Sequence, residues 1–483
     1  MRRVTPFIVY ILVEMQQRGR REFFRQVRHG GGVLGILPVA ARAAAALPAG
    51  FHVKNFGAKA NGTALDTLAL QRAIDAASAA GGGTVWFSAG TYLSGTLILK
   101  SNVTLHLMAG ATLLGSTRLA DYPKHIPKMR SFTSTYTETS LLYAEGAERI
   151  AIEGNGVIDG QGAAFSGPYK VRPYMIRVIE CCDVAISGIT LKNSPMWVQH
   201  YLGCKDVRIH GITVRSRVNQ NNDGIDIDCC ERVTISDCNI WSGDDAIVLK
   251  STANRVTRDV AVHNCILSSK CSALKLGTET NGGFENIAIA NCTIYDTGIS
   301  GLTLQMVDGG TLNGVVATNL VMKNVRSPIF MRLGNRARPF VEGGPKPALG
   351  AFRNVIISNV QVTGAQKLGC AIAGLPEACI ENVTLDNIRI QFVGGGAAAD
   401  AARAVPEVPE KYPEDSMFGT LPAYGFYCRH VRNARFRNIE TSFETDDARP
   451  ALVCDDVKRL EITNCDFAGA APRFTRTELI QHD

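Results

Sequence analysis

The sequence predicts an all-β solenoid in which each repeat forms one coil of a parallel β-helix, and three observations predict it. Many short Val/Ile segments and 47 glycines accompany a charged fraction of only 20%, with few helix-favouring patterns. From Ala147 onward one phrase returns eleven times, first as ERIAIEGNGVI, CDVAISGITL, KDVRIHGITV and ERVTISDCNI and last as KRLEITNCDF. Its matching positions Ile150, Val184, Val207, Val233, Val260, Ile287, Val315, Val355, Val383, Ala434 and Leu460 recur mostly at 23 to 28 residues. That period, with alternating strands and Asn or Gly turns, is the length of one β-coil. Helical repeats need a 3.6-residue periodicity, which is absent.

In chain order, the first element reads as an address. RGRREFFRQ carries Arg20-Arg21 followed by Glu22, Phe23 and Phe24, and a glycine-containing apolar stretch, GGGVLGILPVAARAAAALPAG, then ends in small residues. Residues 1–49 resemble a twin-arginine export signal, with a basic amphipathic surface helix as the alternative; the signal implies a periplasmic or secreted protein. Met15 stands just ahead of the paired arginines and is a second candidate start. No later apolar segment approaches the ~20 residues that a membrane span needs.

Residues 50–470 are expected to form a single solenoid domain, and 471–483 a C-terminal tail. With 483 residues, 46% of them hydrophobic, the chain can bury a large core. The formal net charge of +7 comes from 51 basic against 44 acidic residues, and much of the excess lies in the first 42 residues. No later Lys/Arg run is interleaved with aromatics, so no nucleic-acid partner is expected. Two stretches break the rhythm: NRARPFVEGGPKP at 335–347, and a Gly-, Ala- and Pro-rich segment at 393–425. Long loops on a rigid scaffold usually carry function or disorder. The aromatics Tyr412, Phe418, Tyr424, Phe426 and Tyr427 either stack on a sugar or tuck the loop onto the solenoid. A solenoid with capped ends is expected to stand as a monomer.

Coils stack about 4.8 Å apart, which turns sequence spacing into geometry. Aligning GIDID (224–228), AIVLK (246–250), ALKLG (273–277), GLTLQ (301–305) and PIFMR (328–332) gives two apolar columns, Ile225/Ile247/Leu274/Leu302/Ile329 and Ile227/Leu249/Leu276/Leu304/Met331, which must face inward. The alternate residues face out as Asp226/Val248/Lys275/Thr303/Phe330 and Asp228/Lys250/Gly277/Gln305/Arg332, a mixed charged and aromatic face suited to an extended polymer. The same alignment stacks Asp223 on Asp245, with Asp244 one residue earlier. Three carboxylates then share one patch, where repulsion raises at least one pKa toward a general acid's range. The alternative is a set of Asx-turn formers at solenoid corners. Asp226 and Asp228 fit turn formation or substrate contact better than catalysis.

Cysteines recur at fixed places in the repeats, Cys238, Cys265, Cys292 and Cys465 in one and Cys181, Cys204 and Cys230 in another. Stacked ladders of buried thiols suit packing better than bridging. An oxidising compartment leaves a disulfide at Cys181-Cys182 or Cys229-Cys230 open. No C-x-x-C pair occurs and the histidines lack ligand spacing, so no metal site of the zinc type is expected.

Two blocks resemble known families. Phe51–Ser116 is similar to the opening segment of pectin-active right-handed parallel β-helices: a short helix from Asp66 to Ala80, then Gly81-Gly82-Gly83 and the first coils. That helix would cap the open apolar end of the solenoid, where strand edges are otherwise unpaired. NSPMWVQH, NNDGIDI and GDDAIVLKS resemble glycoside hydrolase family twenty-eight, the polygalacturonase and rhamnogalacturonan hydrolase family, over a layout from Phe51 to Phe467.

The resemblance implies inverting hydrolysis of plant cell-wall polysaccharide without a metal or other cofactor. Asp244 is then the acid that protonates the glycosidic oxygen, while Asp223 and Asp245 hold and deprotonate the attacking water. An inverting pair is expected to lie ~6.5 to 9.5 Å apart. Where polygalacturonases carry Gly-His-Gly this chain has Cys271-Ser272-Ala273, and where they carry Arg-Ile-Lys it has Thr303-Leu304-Gln305. The candidate substrate contacts are Asn221, Asp226, Lys250, Ser272, Lys275, Gln305 and Arg332. The departures point away from simple homogalacturonan, toward a rhamnogalacturonan backbone, another substituted pectin fragment or an exo-acting mode. Two alternatives stand beside this reading: a polysaccharide lyase using the aspartates as calcium ligands beside Lys250 or Lys275, and a noncatalytic carbohydrate-binding β-helix.

Overall fold

The structure, a computed structural model, describes residues 50–480; the twin-arginine segment and Met15 lie outside the described residues. The chain is a parallel β-helix. Every ladder between its strands is parallel, and each coil pairs with the one before and the one after.

The repeat column predicted from sequence is continuous. Ile150 pairs with Val184, Val184 with Val207, and so on through Val233, Val260, Ile287, Val315, Val355, Val383, Ala434 and Leu460. All eleven side chains are buried. A one-residue slip would turn this column outward, so burial fixes the register. The two insertions fall where the column spacing lengthens, and the ladder closes across both: Val315 still meets Val355, and Val383 still meets Ala434.

Helix α1 (Thr67–Ala79) carries Ala69, Leu70, Ala73, Ile74 and Ala77 on one buried face and packs them against the first coils, as a cap requires. Its N-cap residue Asp66 turns its carboxylate backward, accepting from the backbone N–H groups of Lys59 at 2.7 Å and Ala60 at 2.9 Å. The helix start is thereby tied to the strand that precedes it. At the other end, Arg473–Thr475 of the expected tail pairs with Val453–Asp455 as a further rung.

The corners between strands are held by asparagines in the left-handed region, among them Asn264, Asn291 and Asn319 with φ between 55° and 58°. Asparagine adopts this conformation at low cost because its short amide bonds locally. All fourteen cysteines are free, and eleven of them, including the ladder Cys238, Cys265 and Cys292, belong to buried or half-buried hydrophobic clusters of the solenoid.

Candidate active site

Four strands carry the site: β1 (Gln199–Leu202), β2 (Ile225–Asp228), β3 (Ile247–Ser251) and β4 (Leu274–Thr280). β2 pairs with β3 as Ile225↔Ile247 and Asp226↔Val248, which sets Asp223 against Asp245 at the strand entrances. The Gly224 N–H donates to the Asp245 carbonyl at 2.9 Å and locks that alignment. One oxygen from each of Asp223, Asp244 and Asp245 falls within 4.8 Å of the others. The sequence columns therefore bring the three carboxylates together.

Their surroundings differ. Asp245 is buried and its two oxygens accept from the Ser272 N–H at 3.1 Å and the Lys275 ammonium at 2.8 Å. Asp244 is the partly exposed member; its backbone carbonyl accepts from the Ser242 and Ser269 hydroxyls, and its side chain accepts from the Asp245 N–H at 2.9 Å. Asp223 is buried, and its Oδ1 has no hydrogen-bond partner among the described residues. Burial, and after it the charge of Asp244 and Asp226, pushes the Asp223 carboxyl well above the usual range. Burial and then Asp245 raise Asp244, against the pull of Lys275. A carboxyl raised in this way is suited to act as a general acid.

Behind the cluster lies Lys250, whose ammonium is 3.9 Å from Asp223, 3.6 Å from Asp226, 3.5 Å from Glu279 and 4.7 Å from the centre of the Trp197 ring. Burial opposes its charge, yet Glu279, Asp226 and Asp223 together hold the ammonium well above the ordinary lysine range. Lys275 is held up likewise by Asp245 against its burial. Glu279, despite its burial, is pulled below the usual range by Lys250 and Arg338. Two buried ammonium groups thus supply the positive charge that the aspartates require.

Several expected substrate contacts are corrected. Arg332 is fully buried: it donates to the carbonyls of Gly374 at 3.1 Å and Glu407 at 2.8 Å, beside the Phe418 ring. Gln305 is buried too and donates to the Pro413 carbonyl. The insertion at 393–425 lies over both, so they hold the loop rather than face a groove. Asp226 is buried under Lys250. Asn221 accepts from the Arg172 guanidinium at 2.7 Å. Of the substrate candidates, Lys250, Ser272 and Lys275 remain next to the carboxylates, all three nearly buried.

The column Lys250/Gly277/Gln305 also breaks. After Leu249↔Leu276 the register shifts and Ser251 meets Thr280, with Gly277 in the left-handed region at φ 113°. That slip carries Glu279 beside Lys250, which even spacing does not foresee.

Other residues were missed. Asn222, next to the one singled out, is fully buried, and its side chain makes five hydrogen bonds. Its Oδ1 accepts from Ser216 Oγ and the Val218 and Asn219 N–H groups, and its Nδ2 donates to the carbonyls of Ser194 and Met196. It fixes the turn that presents Asp223. Trp197 lies in NSPMWVQH, a motif visible in the sequence, and its ring meets Tyr136 at 5.5 Å. Tyr136 in turn borders a cavity of about 1000 Å³ whose walls include Arg130, Thr137, Lys170 and Phe340. The cavity adjoins the aromatic wall of the site and does not itself include the carboxylates.

The fold and its exposed wall thus present three convergent carboxylates on a parallel β-helix. The profile of glycosyl hydrolases family 28 matches residues 91–410, and that of the rhamnogalacturonase A/epimerase, pectate lyase-like family matches residues 50–113. The chain belongs to glycosyl hydrolases family 28. It is similar to a probable polygalacturonase of Vitis vinifera, 29% identical over 365 residues that cover 68% of this chain and 73% of the relative. An exo-poly-alpha-D-galacturonosidase of Dickeya chrysanthemi is 27% identical over 58% of this chain, and the match spans just 56% of that relative's length. The solved family 28 exopolygalacturonase of Yersinia enterocolitica shares the fold, with a TM-score of 0.66 at 20% identity over 89% of this chain and 78% of that one. Among the described residues no helix is long and apolar enough to cross a membrane.

Proposed function

We propose that this glycoside hydrolase cleaves α-glycosidic bonds in pectic polysaccharide containing uronic acid, with Asp244 as the proton donor and Asp223 and Asp245 as the pair that holds the attacking water. The observation that carries this reading is the convergence of the three carboxylates within 4.8 Å, with only Asp244 partly open to solvent. The acid must reach the leaving oxygen, and the half-exposed carboxyl is the one placed to do so. Asp245 is fixed by Lys275 and the Ser272 N–H. Such a tethered carboxylate orients water better than it attacks carbon.

The 4.8 Å figure is between the nearest oxygens, whereas the ~6.5 to 9.5 Å of an inverting pair is counted between carboxyl groups. Separation alone does not choose the stereochemistry, and the engaged lone pairs of Asp245 are what favour inversion over a covalent intermediate. Proton NMR of the first-formed anomer tests this directly. The pectic substrate class follows from the relatives named as polygalacturonases.

Attack from a chain end is supported by the loop at 393–425. It buries the outward positions Gln305, Phe330 and Arg332, so the groove does not continue past the coil of Lys275 on that side. Monomeric products from the start of digestion are expected; a ladder of mixed oligomers would mean internal cleavage. The export signal read in residues 1–49 suits a substrate that lies outside the cell.

The lyase alternative needs a cation among the aspartates, where Lys250 and Lys275 already supply positive charge. The decisive experiment follows reducing ends and 235 nm absorbance on polygalacturonan and rhamnogalacturonan, with Asp244→Asn alongside. Reducing ends without absorbance, lost roughly 10²- to 10⁴-fold in the variant, are expected. Absorbance that appears with them and dies with a chelator would establish elimination instead.

A further inference from the structure

The family positions at which an arginine and a lysine are expected carry Thr303 and Gln305; both are buried, and Gln305 is held by the chain's own loop. A site acting on uronic acids still needs a donor for the sugar carboxylate. The cations beside the aspartates do not offer one freely: Lys275 is engaged with Asp245, and Lys250 is enclosed by Asp223, Asp226 and Glu279.

The insertion at 335–347 brings in two arginines that behave differently. Arg336 is consumed by structure: its side chain, only 12% exposed, donates to both oxygens of Asp308 and to the Thr278 carbonyl. Arg338 is 30% exposed. Only its Nη2 is engaged, with Glu279 at 2.6 Å and more distantly with Asp308, while Nε and Nη1 make no hydrogen bond among the described residues. Its guanidinium lies 3.5 Å from the centre of the Phe132 ring. Its backbone is pinned by the N–H bond to Asp308 at 3.0 Å and by Asn281 Nδ2 at 2.8 Å. A flat guanidinium stacked on one face, with donors left over, is prearranged for two-pronged binding of a carboxylate.

Its position fits the reaction. Glu279 bridges Arg338 to Lys250, and Lys250 adjoins Asp223, so a chain of three ion pairs links the guanidinium to the carboxylate cluster. On its other side Phe132 meets Tyr136 at 5.8 Å, and Tyr136 borders the large cavity. Arg338 is thereby linked through Phe132 and Tyr136 to the cavity on one side and through Glu279 and Lys250 to the aspartates on the other.

We propose that Arg338 is the specificity residue of this enzyme, binding the carboxylate of a uronic acid next to the scissile bond in place of the absent family cations. The proposal rests on the glycoside hydrolase reading of the aspartates. It predicts that selectivity for acidic over esterified sugar resides in this one side chain of the insertion.

The test compares a galacturonate trisaccharide with its methyl ester in wild type, Arg338→Lys and Arg338→Gln. The acid-to-ester ratio of kcat/KM is expected to fall about 10- to 100-fold in Arg338→Gln, through KM more than kcat, and less in Arg338→Lys. Equal losses on both substrates would mean that Arg338 merely holds the loop, and would overturn the proposal, as would an unchanged ratio. Calorimetric binding of the same two sugars to Asp244→Asn protein, with and without Arg338→Gln, separates the two readings. An acid preference that disappears with Arg338 supports the proposal even where turnover fails, whereas no acid preference in binding sinks it.

Discussion

Two stacks of polar side chains run along this solenoid at the same spacing, and they obey opposite electrostatics. At the corners, Asn319 donates to the amide oxygen of Asn291 at 3.0 Å, Asn291 to Asn264 at 3.3 Å and Asn264 to Asp237 at 3.2 Å. An amide carries both a donor and an acceptor, so a stack of amides satisfies itself. At the strand entrances Asp223 lies over Asp245, and a stack of carboxylates has acceptors only. The chain answers by burying two lysines beside it, and the carboxyls of Asp223 and Asp244 are pushed above the usual range. In a repeat protein, the place where stacking works against stability is where selection has acted for something else.

The sharpest way to break this comparison is to turn the carboxylate stack into an amide. Asp223→Asn is expected to lose about 10³-fold in activity, because the water loses one of its two acceptors, while the protein becomes more stable. The gain depends on pH. An unfolded aspartate ionises near 3.8, whereas the folded Asp223 keeps its proton to higher pH. Between those two values the folded state binds more protons, so wild-type stability falls as pH rises through that window and stays lowered above it. Melting curves of the two proteins should coincide near pH 3 and separate at neutral pH, the variant higher; a variant that melts lower at pH 7 would mean that the aspartate pays its own way through Lys250.

Lys250→Met attacks the same stack from the other side. Removing the buried ammonium leaves Asp223, Asp226 and Glu279 without their shared counter-charge, a loss of roughly 3 kcal/mol by analogy with broken buried pairs. Denaturant midpoints should show it, and adding Asp226→Asn should recover part of the loss. If the single variant unfolds as wild type does, Lys250 does not carry the compensation argued for it.

How much of this was legible follows from the same stacking. Parallel coils in register convert spacing into contact, which is why the Ile150-to-Leu460 column and the Asp223–Asp245 pairing could be read from sequence. Legibility failed where register or depth changes. Glu279 was hidden because the ladder slips after Leu249. Arg332 and Gln305 were placed in the groove because alternation shows which way a side chain points, not that a loop some 75 to 108 residues later in the chain will cover it. Asn221 and Asn222 show the finest limit: adjacent and identical, one takes the left-handed turn while the other organises it from within.

The smallest effect gives the cleanest control, because it builds the unfavourable stack where no function calls for it. Asn319→Asp keeps a residue that tolerates the left-handed φ of 55°, so the backbone is undisturbed. It replaces the amide donor that now meets Asn291 with a carboxylate oxygen. Asn291 cannot turn its own amide to help without giving up its bond to Asn264. The position is exposed, so water relieves most of the conflict, and the expected cost is about 1 kcal/mol, near that of one lost hydrogen bond. The cost should shrink below pH 4, where the new carboxyl regains a donor proton. Together with Asp223→Asn this makes a reciprocal pair, in which amide to acid destabilises the corner and acid to amide stabilises the site. Should both changes shift the melting temperature in the same direction, the stacking chemistry of the two columns is not what distinguishes them.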